Sequence, residues 1–280
     1  MPFTISHIAA VLPCHRALRR HGYFSAAIVG SMVPDFGFLP PLQLARSATH
    51  SGAALFTFCV PLGLLAYWLF QLLIKPAWCA VLPGRWRGRL RAEHPVARIG
   101  NWRVWLGAAA AVLLGAVTHL VWDGFTHEDG RGVRMLPFLD DYGPHIEGNP
   151  LRLFQWLQLA SSVVGLIVVL VAAWYWSRAD RSAGRRAEPA QGAWPFPELG
   201  ARERQAWFAA YLLIPTIVLV LGLARNSLHA HASDDFGVDL SRLAFAGLGS
   251  SVAALLLVSA LVRLRLALLG RRLDDPTALQ

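Results

Sequence analysis

The sequence predicts an all-α integral membrane protein, a helical bundle of about five spanning helices plus an N-terminal helical or re-entrant segment. Three observations carry that expectation. Of 280 residues, 55% are hydrophobic and only 15% are charged, and the mean hydropathy is +0.43, outside the ordinary soluble range. Five apolar runs, residues 53–74, 104–122, 156–176, 207–224 and 243–262, are each long enough to cross a hydrocarbon core of ~30 Å. The loops between them alternate in charge, as orientation in a bilayer requires.

The chain opens with Met1-Pro2-Phe3-Thr4-Ile5-Ser6-His7, where Thr4 or Ser6 caps a short helix whose end Arg16, Arg19 and Arg20 favour. Residues 23–44 are apolar except for Asp35, but Pro34, Pro40 and Pro41 interrupt them. A run so broken rarely makes a straight spanning helix. It predicts a short helix over 24–32 and a turn at Val33-Pro34-Asp35, with a re-entrant segment as the alternative.

The five runs follow, with Trp105, Trp122, Trp156, Trp174, Trp176 and Trp207 at or near their ends, where interfacial aromatics sit. The first loop carries Lys75, Arg85, Arg87, Arg89, Arg91, Arg98 and Arg103. The third carries Arg178, Arg181, Arg185, Arg186, Arg202 and Arg204, and Arg263, Arg265, Arg271 and Arg272 follow the last run. The second and fourth loops are acidic instead, through Glu128, Asp129, Asp140, Asp141 and Glu147, and through Asp234, Asp235 and Asp239. The positive-inside rule puts the basic set in the cytoplasm and the N-terminal segment outside it, with Arg16, Arg19, Arg20 and Arg46 as the misfit. Residues 1–176 hold the N-terminal segment and spans one to three. Residues 177–206 read as a flexible basic linker, and residues 207–280 as two further spans with a loose tail.

The net charge of +9 accompanies no nucleic-acid-binding pattern, so the lipid bilayer is the expected partner and nucleic acid is not. Cys14, Cys59 and Cys79 form neither a disulfide framework nor a zinc pattern, and no basic leader precedes an apolar core at the N-terminus.

The chemistry gathers where the second run ends. His119, Asp123 and His127 stand four residues apart, on one face of a helix. Imidazole and carboxylate on adjacent turns suit a divalent cation. The bland alternative is a helix end meeting water. The topology adds His50, in Thr49-His50-Ser51 at the start of the first span, and His7 and Asp35 from the N-terminal segment. One pocket then collects His7, Asp35, His50, His119 and Asp123, with His127 nearby. That set suits a metal pair, or one metal plus a general base. Each member also has an ordinary reading: His7 as a packed histidine, Asp35 as a turn residue, His50 as a helix-start feature. His145, His229 and His231 read as surface residues. Arg131 and Arg134 either hold an anionic substrate group or balance Glu128 and Asp129.

His7, Gly30-Ser31-Met32-Val33-Pro34-Asp35, Thr49-His50-Ser51, His119-x-x-x-Asp123 and Leu157-Gln158-Leu159-Ala160-Ser161-Ser162 together resemble a bacterial family of multi-pass membrane proteins catalogued as a domain of unknown function. More distantly, the order of these motifs is similar to membrane-bound metal-dependent hydrolases and, more loosely, to zinc-dependent phospholipases C. Those groups imply metal ligands at His7, Asp35, His50, His119 and Asp123. Phe36 and Gly37 follow Asp35 where the hydrolases carry a further acidic residue and a histidine.

The expectation is therefore a membrane-bound hydrolase using zinc or a similar divalent metal at an extracytoplasmic site and acting on a lipid phosphodiester or other anionic substrate. Asp35 or Asp123 serves as ligand or as base. Two alternatives stand beside it. One is a non-catalytic membrane protein whose polar cluster ties the N-terminal segment to the first two spans. The other is an ion transporter, against which spans three to five offer no buried charge.

Overall fold

Backbone in hydrocarbon must satisfy its own hydrogen bonds, so a sequence this apolar folds as helix almost throughout. The computed structural model describes residues 4–19, 22–83, 86, 101–146, 149–178, 196–230 and 236–273. After a 3-10 turn at Thr4–His7 come five short helices, α1 (Ile8–Val11), α2 (His15–Arg19), α3 (Phe24–Gly30), α4 (Val33–Phe36) and α5 (Arg46–Thr49). The long elements are α6 (Leu55–Val81), α7 (Trp102–Thr126), α9 (Leu153–Arg178), α10 (Ala201–Ala230) and α11 (Phe236–Leu273), with a short α8 (Arg131–Met135) after α7.

Among the described residues, five helices are long and apolar enough to cross a membrane: α6, α7, α9, Ala201–Gly222 of α10 and Gly249–Gly270 of α11. They fall on the five apolar runs, and the protein is an all-α helical membrane bundle. In α9 only Phe154 and Gly165 are buried within the protein, whereas 33% of the most apolar stretch of α7 is. Hence α9 turns its apolar side chains outward, as a lipid-facing helix must.

Several expectations change. Val33-Pro34-Asp35 is not a bare turn but the start of α4, because Pro34 sits in its first turn, where its missing N–H costs nothing. Thr4 caps no helix; its hydroxyl donates to Asp35. Lys75 does not belong to a loop. α6 runs past it to Val81, and its side chain is buried. The predicted linker overlaps α10, which begins at Ala201, while residues 179–195 lie outside the described residues. Between α8 and α9 an antiparallel hairpin pairs β1 (Tyr142–Ile146) with β2 (Asn149–Arg152). The hairpin lies within the acidic second loop of the sequence. The side chains of His145 and His229, and His231 altogether, lie outside what is described.

The chain divides into two compact units. The first, Met1–Gly37, Leu44–Tyr67 and Arg98–Asp180, contains every candidate site residue. Its packing centre is the contact of α3 with α7. A Cβ on Gly30 would stand 2.1 Å from the Val112 carbonyl oxygen, and one on Gly115 would stand 2.2 Å from that of Ala27. Only glycine allows backbones to approach so closely, as small residues do between membrane helices. Val29, Val33, Cys59 and Ala116 form the adjoining core. In the second unit α10 lies along α11, with Ala77, Val81, Leu199, Tyr211, Val258, Val262 and Leu266 buried between elements. The Tyr211 hydroxyl donates to Ser259 at 2.9 Å and Arg265 pairs with Glu203 at 2.6 Å, so Arg265 lies on a packed helix rather than after it.

Candidate metal centre

Along α7 the sequence places Gly107, Ala111, Gly115, His119 and Asp123 at four-residue intervals, one continuous stripe. The small residues admit α3; the polar pair one and two turns later then faces the chain that α3 delivers. Ser31, just past α3, offers its carbonyl oxygen to His119 Nδ1 at 2.8 Å. A carbonyl only accepts, so Nδ1 carries the hydrogen and Nε2 keeps its lone pair. α4 brings Asp35 to the same point and α5 brings His50. The Thr49 hydroxyl donates to the Arg46 carbonyl at 3.3 Å and lies 2.7 Å from His50 Nδ1. When the hydroxyl proton goes to Arg46, the oxygen accepts from Nδ1–H and His50 Nε2 is the basic nitrogen in that tautomer. Partners of this kind fix the tautomer of metal-ligating histidines.

The ligand atoms converge. His50 Nε2 lies 3.4 Å from Asp35 Oδ1 and 3.4 Å from Asp123 Oδ2. His119 Nε2 lies 3.6 Å from each of the same two oxygens, and His7 Nε2 is 3.6 Å from Asp123 Oδ1. Atoms held about 2.0–2.2 Å from a tetrahedral ion stand about 3.3–3.6 Å apart, so these spacings match the edges of such a site. Among the described residues two groups bring ligand atoms this close, His7 with His119 and Asp123, and Asp35 with His50 and His119. His119 Nε2 is common to both. The rings of His7 and His119 stack at 3.7 Å, and those of His50 and His119 meet edge to face at 5.3 Å.

His7, Asp35, His119 and Asp123 are at most 4% exposed, and the His50 side chain is equally buried. His7 Nε2, His119 Nε2, Asp35 Oδ1 and Asp123 Oδ1 are buried without a hydrogen bond. Such groups cost stability unless something compensates them, and a divalent cation meets the need of this donor set. Burial first, and then the neighbouring His119, push the His7 imidazole down to about 4. Burial alone would raise the Asp35 carboxyl. In their protonated form the facing His119 and His50 imidazoles, with the Thr4 hydroxyl 2.7 Å from Oδ2, outweigh it and hold Asp35 well below the usual carboxylate range.

The sixth sequence candidate, His127, stands beside the centre rather than in it. Its Nδ1 lies 3.2 Å from the Asp123 carbonyl oxygen and 3.8 Å from Asp123 Oδ2, and it is in neither ligand group. Burial pushes it, too, down to about 4. Sequence reasoning missed Arg46, whose Nη2 donates to Asp123 Oδ2 at 2.7 Å. Its only sequence signal was the violated charge rule. Arg134 Nη1 donates to the Asp129 carbonyl oxygen at 2.6 Å.

A polytopic helical bundle with a buried His/Asp cluster against its second span is thus the class of protein that fold and site define. The chain belongs to the family described as a domain of unknown function, DUF4184, which it matches over residues 1–260. It matches no curated protein and no solved structure.

Proposed function

We propose that this protein is a membrane-bound, metal-dependent hydrolase that cleaves an ester bond of a lipid phosphodiester at a centre holding zinc or a similar divalent ion. The observation that supports it best is the convergence of three imidazoles and two carboxylates, with His119 Nδ1 held by the Ser31 carbonyl. Asp123 is within reach of all three imidazoles and serves as the central ligand, with His119, His50 and His7 around it. An ion held there acidifies water and polarises a phosphoryl oxygen. The Oδ1 of Asp35, which has no hydrogen bond, would take the proton of the attacking water and return it to the alkoxide that leaves as the P–O bond breaks, while Thr4 holds Oδ2 in place. Burial of the cluster keeps bulk water from competing. By loop charge, the site faces the extracytoplasmic side.

The experiment is release of the headgroup from short-chain phosphodiester lipids by detergent-purified protein. Chelator should abolish it, zinc should restore it, and Asp35→Asn should lower the rate by about 10²–10⁴, the usual worth of a positioned base. Hydrolysis indifferent to chelator, or its absence from metal-loaded protein, would count against the reading. The rival is a non-catalytic polar tie, favoured by the Arg46–Asp123 pair, which neutralises one carboxylate unaided. It predicts no turnover in any metal state.

A further inference from the structure

We propose that the site is built for a single anionic lipid, with Arg46 clamping the headgroup and a groove beside His7 holding an acyl chain. Its charge balance rests on the metal reading given above.

The groove has a volume of about 360 Å³ and runs between the N-terminal segment, at Ser6, His7 and Ala10, and α9, at Val164 and Val168, with Trp122 of α7 beside them. That is the size of a ligand pocket, and its lining is almost wholly apolar. Val164 is 58% exposed, on a helix whose apolar stretch faces outward. The groove therefore opens toward hydrocarbon, and a chain can enter it sideways from the bilayer. One wall is His7, whose Nε2 is 3.6 Å from Asp123 Oδ1. A chain seated there has its polar end at the cluster.

Arg46 supplies the second half. It approaches Asp123 through the other carboxylate oxygen, Oδ2, and its side chain is 36% exposed. Among the described residues its guanidinium makes this one side-chain bond, leaving most of its five donors for another partner. The two carboxylates alone match the charge of one divalent ion, which leaves the charge of Arg46 over. A guanidinium fork at an open edge with excess positive charge suits a phosphate better than an uncharged headgroup. Arg46 is one of the four arginines that break the positive-inside pattern, and a place at the site accounts for it.

The test uses the full chain in neutral detergent micelles and an acyl-labelled phosphatidic acid, with the matched diacylglycerol and inorganic phosphate as competitors. Wild type should prefer phosphatidic acid over diacylglycerol by about tenfold or more, as expected for a charge-assisted hydrogen bond. Arg46→Gln should remove that preference while keeping its metal, because Arg46 is not a ligand. Val164→Trp fills the groove from an exposed position and should weaken both lipids alike. Inorganic phosphate should fail to compete. No preference in wild type, a preference that survives Arg46→Gln, binding that ignores Val164→Trp, or full competition by phosphate would each overturn the proposal. Elemental analysis of the same samples separates the two readings. Lipid preference in metal-free protein removes the metal reading and keeps the lipid site. Bound metal without the preference does the reverse.

Discussion

His119 Nδ1 lies 2.8 Å from the carbonyl oxygen of Ser31, joining α7 to the end of α3 through a buried contact. That bond aims Nε2 at Asp35 and Asp123, so the centre depends on how closely two helices pack one turn away.

Gly115→Ala should therefore be costly. The new Cβ would stand 2.2 Å from a backbone oxygen that no side-chain rotation can move. Overpacking of this kind costs about 1–3 kcal/mol, read by unfolding of detergent-purified protein. The shift of α3 should also carry the Ser31 carbonyl away and lower metal content. Val117→Leu, at an exposed position on the same helix, should change neither. Equal effects of the two would show that the close approach does not matter.

Much of this centre was legible in the sequence. Five apolar runs gave five helices, and the four-residue spacing of His119 and Asp123 survives on α7. What was not legible depends on contacts between distant segments. Arg46 and Asp123 are 77 residues apart, and a charge rule that only counts basic residues cannot tell a paired arginine from an orienting one. Thr4 looked like a helix cap because Ser and Thr usually act locally; its bond to Asp35 spans 31 residues. His127 shares the sequence spacing of the site but not its convergence, because α7 ends at Thr126 and the backbone turns extended at His127.

The pH dependence of stability follows from His127, which burial holds at about 4. In the unfolded chain an imidazole titrates near 6.5. Between these values the unfolded state takes up a proton that the folded state refuses. The stabilisation is complete above about 6.5 and disappears as pH falls toward 4. Chelated wild type should lose more stability than chelated His127→Gln between pH 7 and pH 4.5, by on the order of 2 kcal/mol. Parallel pH profiles for the two proteins would contradict this.

Orientation is tested with cysteines at positions 130 and 190 in a background lacking Cys14, Cys59 and Cys79. The alternating loop charges predict that an impermeant thiol reagent labels position 130 in intact cells and reaches position 190 only after lysis. The opposite pattern would place the site on the cytoplasmic side.

Metal content tests the central claim most directly. Elemental analysis of protein purified without chelator should find bound divalent metal in wild type and little in His50→Ala, His119→Ala or Asp123→Ala. His119→Ala/Asp123→Ala should lose little more than either single variant, because ligands of one ion act as a unit. Arg131→Ala, at an exposed position outside the cluster, should keep the wild-type content. Wild-type protein free of metal, or metal unchanged by His119→Ala and Asp123→Ala, would contradict the account.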